Sequence, residues 1–282
     1  MIKRILLWLI LLFVTIFLYS LWKISSSERK LFNTIQTELA PSSTTAGISV
    51  ASVEILAFEG NVVFYNVTYF ESAGQPKFTA QKMILDIGTS ASFKLAVLPA
   101  EMVFNQLDET HFTATEFKDE FGDDLASNAT VSLLGNPLQL LNIPEESFPT
   151  ESLTLKATIS ALNFGAVAAM YPAVGLFIPN DPSTEFRTQI QADPQSQQFL
   201  IEFMELDHAD FLFNLQGIMS PEPNSNWENA PVNGEITVTQ LSPAMKNLVS
   251  NLEMLFEIKL PRRNDDIVIP IRGTVSRPLI QP

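Results

Sequence analysis

The stretch from Ile5 to Trp22 contains 18 residues and no charged side chain, with Lys3 and Arg4 before it and Lys23 directly after it. As a helix rising about 1.5 Å per residue it is about 27 Å long, close to the hydrocarbon thickness of a bilayer. Tyr19 and Trp22 fall where an aromatic belt lies at a membrane surface. The competing reading is a secretory signal peptide, which has a shorter apolar core followed by a small-x-small cleavage site. Here the run is long and ends Tyr-Ser-Leu-Trp-Lys, so residues 1–25 are expected to form an uncleaved transmembrane anchor.

The charge distribution fits that expectation. Residues 1–30 hold five basic side chains against Glu28, a balance of +4. The other 252 residues hold 12 basic and 30 acidic ones, a balance of −18. A short basic N-terminus favours the cytoplasmic side, which sends the acidic bulk across the membrane. So acidic a chain lacks the basic surface that releases counterions from a phosphate backbone, and nucleic-acid partners are excluded. The chain has no cysteine, which excludes disulfides, thiolate metal sites and a cysteine nucleophile.

After the anchor, Ser25 to Glu28 supplies capping residues ahead of Leu31, Phe32, Ile35 and Leu39, an amphipathic stripe that stops at Pro41. Residues 26–41 are therefore expected as a juxtamembrane helix. From Ile48 the apolar period becomes two. Segments 48–58, 61–70, 78–87, 101–107 and 111–117 are rich in Val, Ile, Phe, Tyr and Thr, with turn signals such as Glu59-Gly60 between them. Short connections imply antiparallel pairing in a meander. The span 116–150 reads as a long connection with a short element around Ala129–Leu134.

Further strands are expected near 151–162, 185–191, 197–206, 210–219, 233–241, 254–260 and 267–275, with helices near Phe164–Ala173 and Pro243–Glu253. The junctions at Leu162 and Leu241 look alike, each a strand, a leucine and then a helix at an offset of 79 residues, which hints at a repeated unit. The expected fold is mainly β with a few helices (α+β): one N-terminal transmembrane helix followed by a curved, mostly antiparallel sheet. The β-rich domain spans 42–282, with 42–150 and 151–282 as candidate halves.

The inventory for chemistry is thin. His208 sits in Asp-His-Ala-Asp between two apolar segments and reads as a hairpin turn, and His111 alternates with threonines on a solvent-facing position. Asp119 to Asp124 forms an acidic loop without calcium-loop spacing. No nucleophile elbow, phosphate-binding glycine loop, dinucleotide motif or zinc-protease motif occurs. The expectation is a protein that is not an enzyme and holds no metal or cofactor. A surplus of apolar residues on strands suits holding acyl chains, docking a partner at a sheet edge, or spacing components from a membrane.

The opening "ISVASVEILAFEGNVVFYNVTYFES", followed by Ala80-Gln-Lys-Met-Ile-Leu-Asp-Ile87, resembles the start of AsmA-like proteins of the Gram-negative envelope. Val268 to Pro278, with its Gly-Thr-Val-Ser-Arg-Pro ending, is similar to the closing strand of that group. In size and layout the chain also resembles the N component of type II secretion systems. The resemblance implies a bacterial inner-membrane protein with a periplasmic β domain and a link to phospholipid movement. No catalytic residue carries over. Lipid contact is then expected at Val63, Tyr65 and Val67 on one strand and at Met83, Leu85 and Ile87 on the next, because each trio alternates on one side. The same six residues suit an ordinary closed core. The expected partners are the bilayer through residues 5–22 and phospholipid, and the alternative is a scaffold holding other envelope proteins.

Overall fold

The computed structural model describes residues 23–37, 39–41, 47–72, 75–95, 97–119, 122–137, 148–163, 181, 183–221, 229–255 and 257–280. Of the anchor expected at 1–25, residues 1–22 lie outside the described residues and 23–25 begin a described helix, while the helix expected at 164–173 lies wholly outside them. Among those described, no helix is long and apolar enough to cross a membrane. The described chain is mainly β, with antiparallel pairing throughout and four helices. It divides into two compact units at Leu107/Asp108. A boundary at residue 150 would instead separate two strands of the second unit that pair over seven consecutive positions, Asn128 to Leu134 against Ser160 to Thr154.

In the first unit, helix α1 covers residues 23–37. Strands β1 (Gly47–Ser49) and β2 (Ser52–Leu56) lie on the same side of β3 (Asn61–Ser72), and β4 (Gln75–Asp86) lies on the other. Helices α2 (Gly88–Leu95) and α3 (Ala100–Phe104) follow, and α2 packs against β3. Ser92 is fully buried in α2, where its hydroxyl donates to the Ala57 carbonyl at 2.9 Å. The segment expected as a strand at 101–107 is α3 and its closing turn. Pro99, at φ −58°, stands at its N-cap and has no N–H to give a strand ladder.

The β1–β2 side of this sheet is an edge, and α1 satisfies part of it. The Ile55 N–H donates to Glu28 Oε1 at 2.9 Å, and Gln36 Nε2 donates to the Val50 carbonyl at 2.9 Å. Glu28 and Gln36 are eight residues apart, a little over two helical turns, so one helix face meets the strand edge at both points. Unpaired edge groups are sites for unwanted strand pairing, and these two bonds occupy them.

The second unit is a continuous meander: β5 (Glu109–Asp119), β6 (Asp124–Leu134), β7 (Leu153–Ser160), β8 (Glu185–Asp193), β9 (Gln198–His208), β10 (Phe211–Met219) and β11 (Val232–Thr239), each paired with the next. Helix α4 (Pro243–Leu255) then leads to β12 (Arg262–Arg263) and β13 (Asp266–Thr274), with β13 paired to β11. Strand β14 (Arg277–Ile280) and β12 both pair with β13 and cover its outer side. Among the described residues the strand expected at 254–260 is absent. Instead α4 runs to Leu255, and the Glu253 carboxylate accepts from the Leu260 N–H and from Arg262 Nη2, both at 2.9 Å.

Strand β6 is far longer than the short element expected from its apolar end. Its polar first half, Asp124 to Asn128, is held extended because β5 pairs along it, with β7 joining only at Asn128. The offset of 79 residues has a structural counterpart: it separates β7 from β11 at both ends, Leu153 from Val232 and Ser160 from Thr239. Ala161 and Gln240, the next residues, both adopt positive φ, at 53° and 54°.

Candidate functional site

Cross-strand register decides which side chains share a face, since residues paired across neighbouring strands point the same way and successive residues point oppositely. In the first unit Val63 pairs with Ile84 and Tyr65 with Lys82, whereas Met83 pairs with Phe64 and Leu85 with Val62. The two expected trios therefore start from opposite faces of the sheet and do not form one lining. Val63, Val67, Leu85 and Ile87 are buried, and Met83 and Tyr65 are half-buried. The Tyr65 hydroxyl donates to Glu54 Oε2 at 2.8 Å, and that bond, with desolvation and the carboxylate's charge, raises the phenol above its ordinary pKa.

In the second unit the register builds a different surface. One row runs Ala114, Ala129, Ile159, Phe186, Leu206, Phe213, Val238, Ile267 across eight strands, and every member is apolar. The next row on the same face is Phe112, Val131, Ala157, Thr188, Met204, Leu215, Ile236 and Ile269. Its single polar member, Thr188, is buried and donates its hydroxyl to the Phe203 carbonyl at 3.1 Å. A third row adds Leu133, Leu155, Ile190, Ile201 and Ile271, begins at the buried Thr110 opposite Leu133, and contains Gly217 opposite Gly234. A Cβ at Gly234 would stand 2.5 Å from the Gln216 carbonyl oxygen, so backbone approach excludes a side chain there and leaves a notch in the row.

The other face is mostly polar, with Phe203, Leu212 and Val268 as exceptions. Thr113, Thr130, Thr158, Arg187, Glu205, Asn214 and Thr237 form one of its rows, with Arg187 Nη2 bonded to Glu205 Oε1. Such an arrangement is what a half-solvated antiparallel sheet requires: a wet face and an apolar face that needs a cover.

That cover is incomplete. Ile159, Phe186, Leu206, Phe213 and Val238 in the first row are half-buried, and so are Val131, Met204, Leu215 and Ile236 in the second. All described strands of the unit belong to this one sheet, so among the described residues no second sheet closes on the face. Helix α4 buries none of its own residues, as it would if it lay across the face. The rows at the strand ends are closed. Leu153, Ala192 and Phe199 are buried together with Phe148 packed on them, its ring 4.8 Å from that of Phe199. At the opposite ends His208 and Phe211, both buried, stack at 4.9 Å, and Ala209 and Asp210 make the hairpin turn expected there. The half-open strip thus lies between two closed ends.

His208 Nδ1 accepts from the Asp210 N–H at 3.1 Å, and exposed His111 bonds Ser132 Oγ at 2.8 Å on the polar face. Among the described residues no group of His, Asp and Glu is placed to hold a metal ion. Sequence reasoning missed the strip, although its signal was present. Phe186, Thr188 and Ile190 alternate, as do Phe211, Phe213 and Leu215, and Ile267, Ile269 and Ile271. Comparison of the chain with protein-family models, with curated proteins and with solved structures finds no match.

Proposed function

We propose that this protein is a membrane-anchored, non-enzymatic lipid-binding protein that holds phospholipid acyl chains on the apolar face of its second unit. One observation carries the reading: adjacent rows of mostly apolar side chains, up to eight strands wide, keep a half-buried middle that includes Phe186, Leu206, Phe213 and Leu215, on a sheet whose reverse face is mostly polar. Contiguous apolar surface of this extent is rare on a soluble domain without a ligand or partner. Each buried methylene contributes about 0.8 kcal/mol, so a chain of about ten methylenes laid on the strip gains on the order of 8 kcal/mol before ordering costs. The chemistry of the strip suits this occupant, because it offers few groups that would need a hydrogen-bonding partner.

The uncharged run at 5–22 supports a tether in a bilayer, and the resemblance of the opening segment to AsmA-like envelope proteins supports a periplasmic setting with the sheet curved around its ligand. A photoreactive benzoylphenylalanine in place of Phe213, on the strip, should capture phospholipid when the full chain is irradiated in membranes. The same residue in place of Thr237, on the polar face of the neighbouring strand, should not. Capture of a protein at 213 with no lipid adduct would favour the second reading, a scaffold for envelope proteins.

A further inference from the structure

Helix α1 is described from Lys23, the residue that directly follows the uncharged run 5–22. If that run lies in a bilayer, the first turns of α1 stand in the headgroup layer. Lys23 and Lys30 are seven residues apart, about 10 Å and two turns along one helix face. Together with Ser26 and Ser27 they line one wall of a cleft of about 570 Å³ within the first unit. The opposite wall is the connection between α2 and α3, where Val97 and Leu98 both donate their N–H groups to the Lys94 carbonyl, at 3.0 and 2.8 Å. No carboxylate lines the cleft among the described residues, although the chain as a whole carries a formal charge of −14.

The far wall is apolar and turned outward. Val97 is 70% exposed and Leu98 40%, and on the neighbouring surface Phe58, 72% exposed, meets Phe93 edge-on with ring centroids 5.2 Å apart. An acidic protein that gathers ammonium groups, hydroxyl donors and outward apolar side chains beside its membrane exit has the chemistry of an anionic headgroup above acyl chains.

We propose that this cleft seats the phosphate headgroup of an anionic phospholipid in the leaflet from which residues 5–22 emerge. Lys23 and Lys30 face the phosphate charge, the Ser26 and Ser27 hydroxyls donate to its oxygens, and Val97 and Leu98 reach the acyl boundary. This rests on the membrane-anchored reading above and adds the place where the protein meets lipid.

Because the chain lacks cysteine, Leu98→Cys provides a single thiol for a bimane label on the full-length protein. The probe is a nanodisc of phosphatidylcholine, alone or with one-third phosphatidylglycerol, carrying a nitroxide just below the headgroups. Quenching at position 98 is expected to be at least twofold greater in the anionic disc, and Lys23→Glu with Lys30→Glu is expected to remove that difference. Quenching no greater than at a Gln216→Cys label, or quenching insensitive to both lipid charge and lysine reversal, overturns the site. A full chain that fails to enter discs overturns the anchor reading beneath it. Lipid capture at position 213 does not involve these lysines, so its persistence with an unquenched position 98 would remove this site and leave the proposed function standing.

Discussion

Glu28 of α1 accepts the backbone N–H of Ile55 at 2.9 Å, a carboxylate taking the place of the strand that is missing from that sheet edge. Ile55 is itself buried, so losing the acceptor would leave its amide without this partner in a place water reaches poorly. Glu28→Ala is expected to lower the stability of the first unit by about 1–3 kcal/mol, as for a hydrogen bond to a charged group. Hydrogen exchange at the Ile55 amide should quicken more than at Val62, its partner on β3. Equal rates at Ile55 in both proteins would show that the bond contributes nothing.

On the apolar strip, stability and ligand binding should separate. Leu133 is fully buried and Leu206 half-buried, though both lie on the same face of one sheet. Leu133→Ala is expected to cost about 2–5 kcal/mol in chemical denaturation, the range for a closed-core leucine. Leu206→Asp is expected to cost less in the lipid-free protein while abolishing lipid capture at position 213. A larger loss of stability at 206 than at 133 would mean that the strip is core after all.

Gly217 and Gly234 face each other between β10 and β11. A Cβ at Gly234 would meet the Gln216 oxygen at 2.5 Å and one at Gly217 the Asn233 oxygen at 2.9 Å, both backbone atoms that cannot swing aside. Gly234→Ala should therefore destabilise the second unit by about 2 kcal/mol, and Gly217→Ala by less. Thermal melting of the two variants tests both the loss and the order.

Asp181 gives the second unit an acid-sensitive tie. Its carboxylate accepts the N–H and hydroxyl of Ser183 and, at 3.0 Å, the Ala209 N–H in the β9–β10 turn. These bonds, the Ser183 backbone bond first, hold its pKa below the ordinary 3.8. A folded-state pKa depressed below the unfolded one stabilises the fold above the unfolded value, and that contribution fades as pH falls through the folded one. Asp181→Asn should thus be less stable than the parent at neutral pH. The gap should narrow once the pH drops below about 3.8 and close at still lower pH. Paired denaturation curves across that range are the check, and a constant gap would remove the carboxylate's charge from the account.

The period of two and the short connections made the antiparallel meander legible from sequence. Register was not legible. Alternation places Met83 and Leu85 on one side of β4 and Val63 and Tyr65 on one side of β3, but nothing local says that Met83 will stand opposite Phe64. That pairing sends the trios to opposite faces. The helix at Ala100–Phe104 was hidden by Met102, Val103 and Phe104, an apolar run that fits a buried strand or a short helix equally well. Strand β6 was hidden for the reverse reason: its polar half has no strand preference of its own and is extended by pairing with β5. The strip itself required knowing that seven strand-to-strand pairings keep their apolar sets in phase, a non-local fact spread over Ala114 to Ile267.

The rows on that strip run across the strands, at right angles to the chain direction. At a strand spacing of about 4.8 Å, eight strands extend over about 34 Å, longer than one extended acyl chain. Successive steps along a row present one apolar side chain after another, with no charged residue to mark a preferred stop. A bound chain shifted sideways by one strand exchanges contacts of nearly equal worth. On the proposed lipid-binding reading the sheet would therefore act as a track with many shallow rests, suited to short residence and easy sliding in either direction. Net transport along it would be set by what loads and empties the two ends.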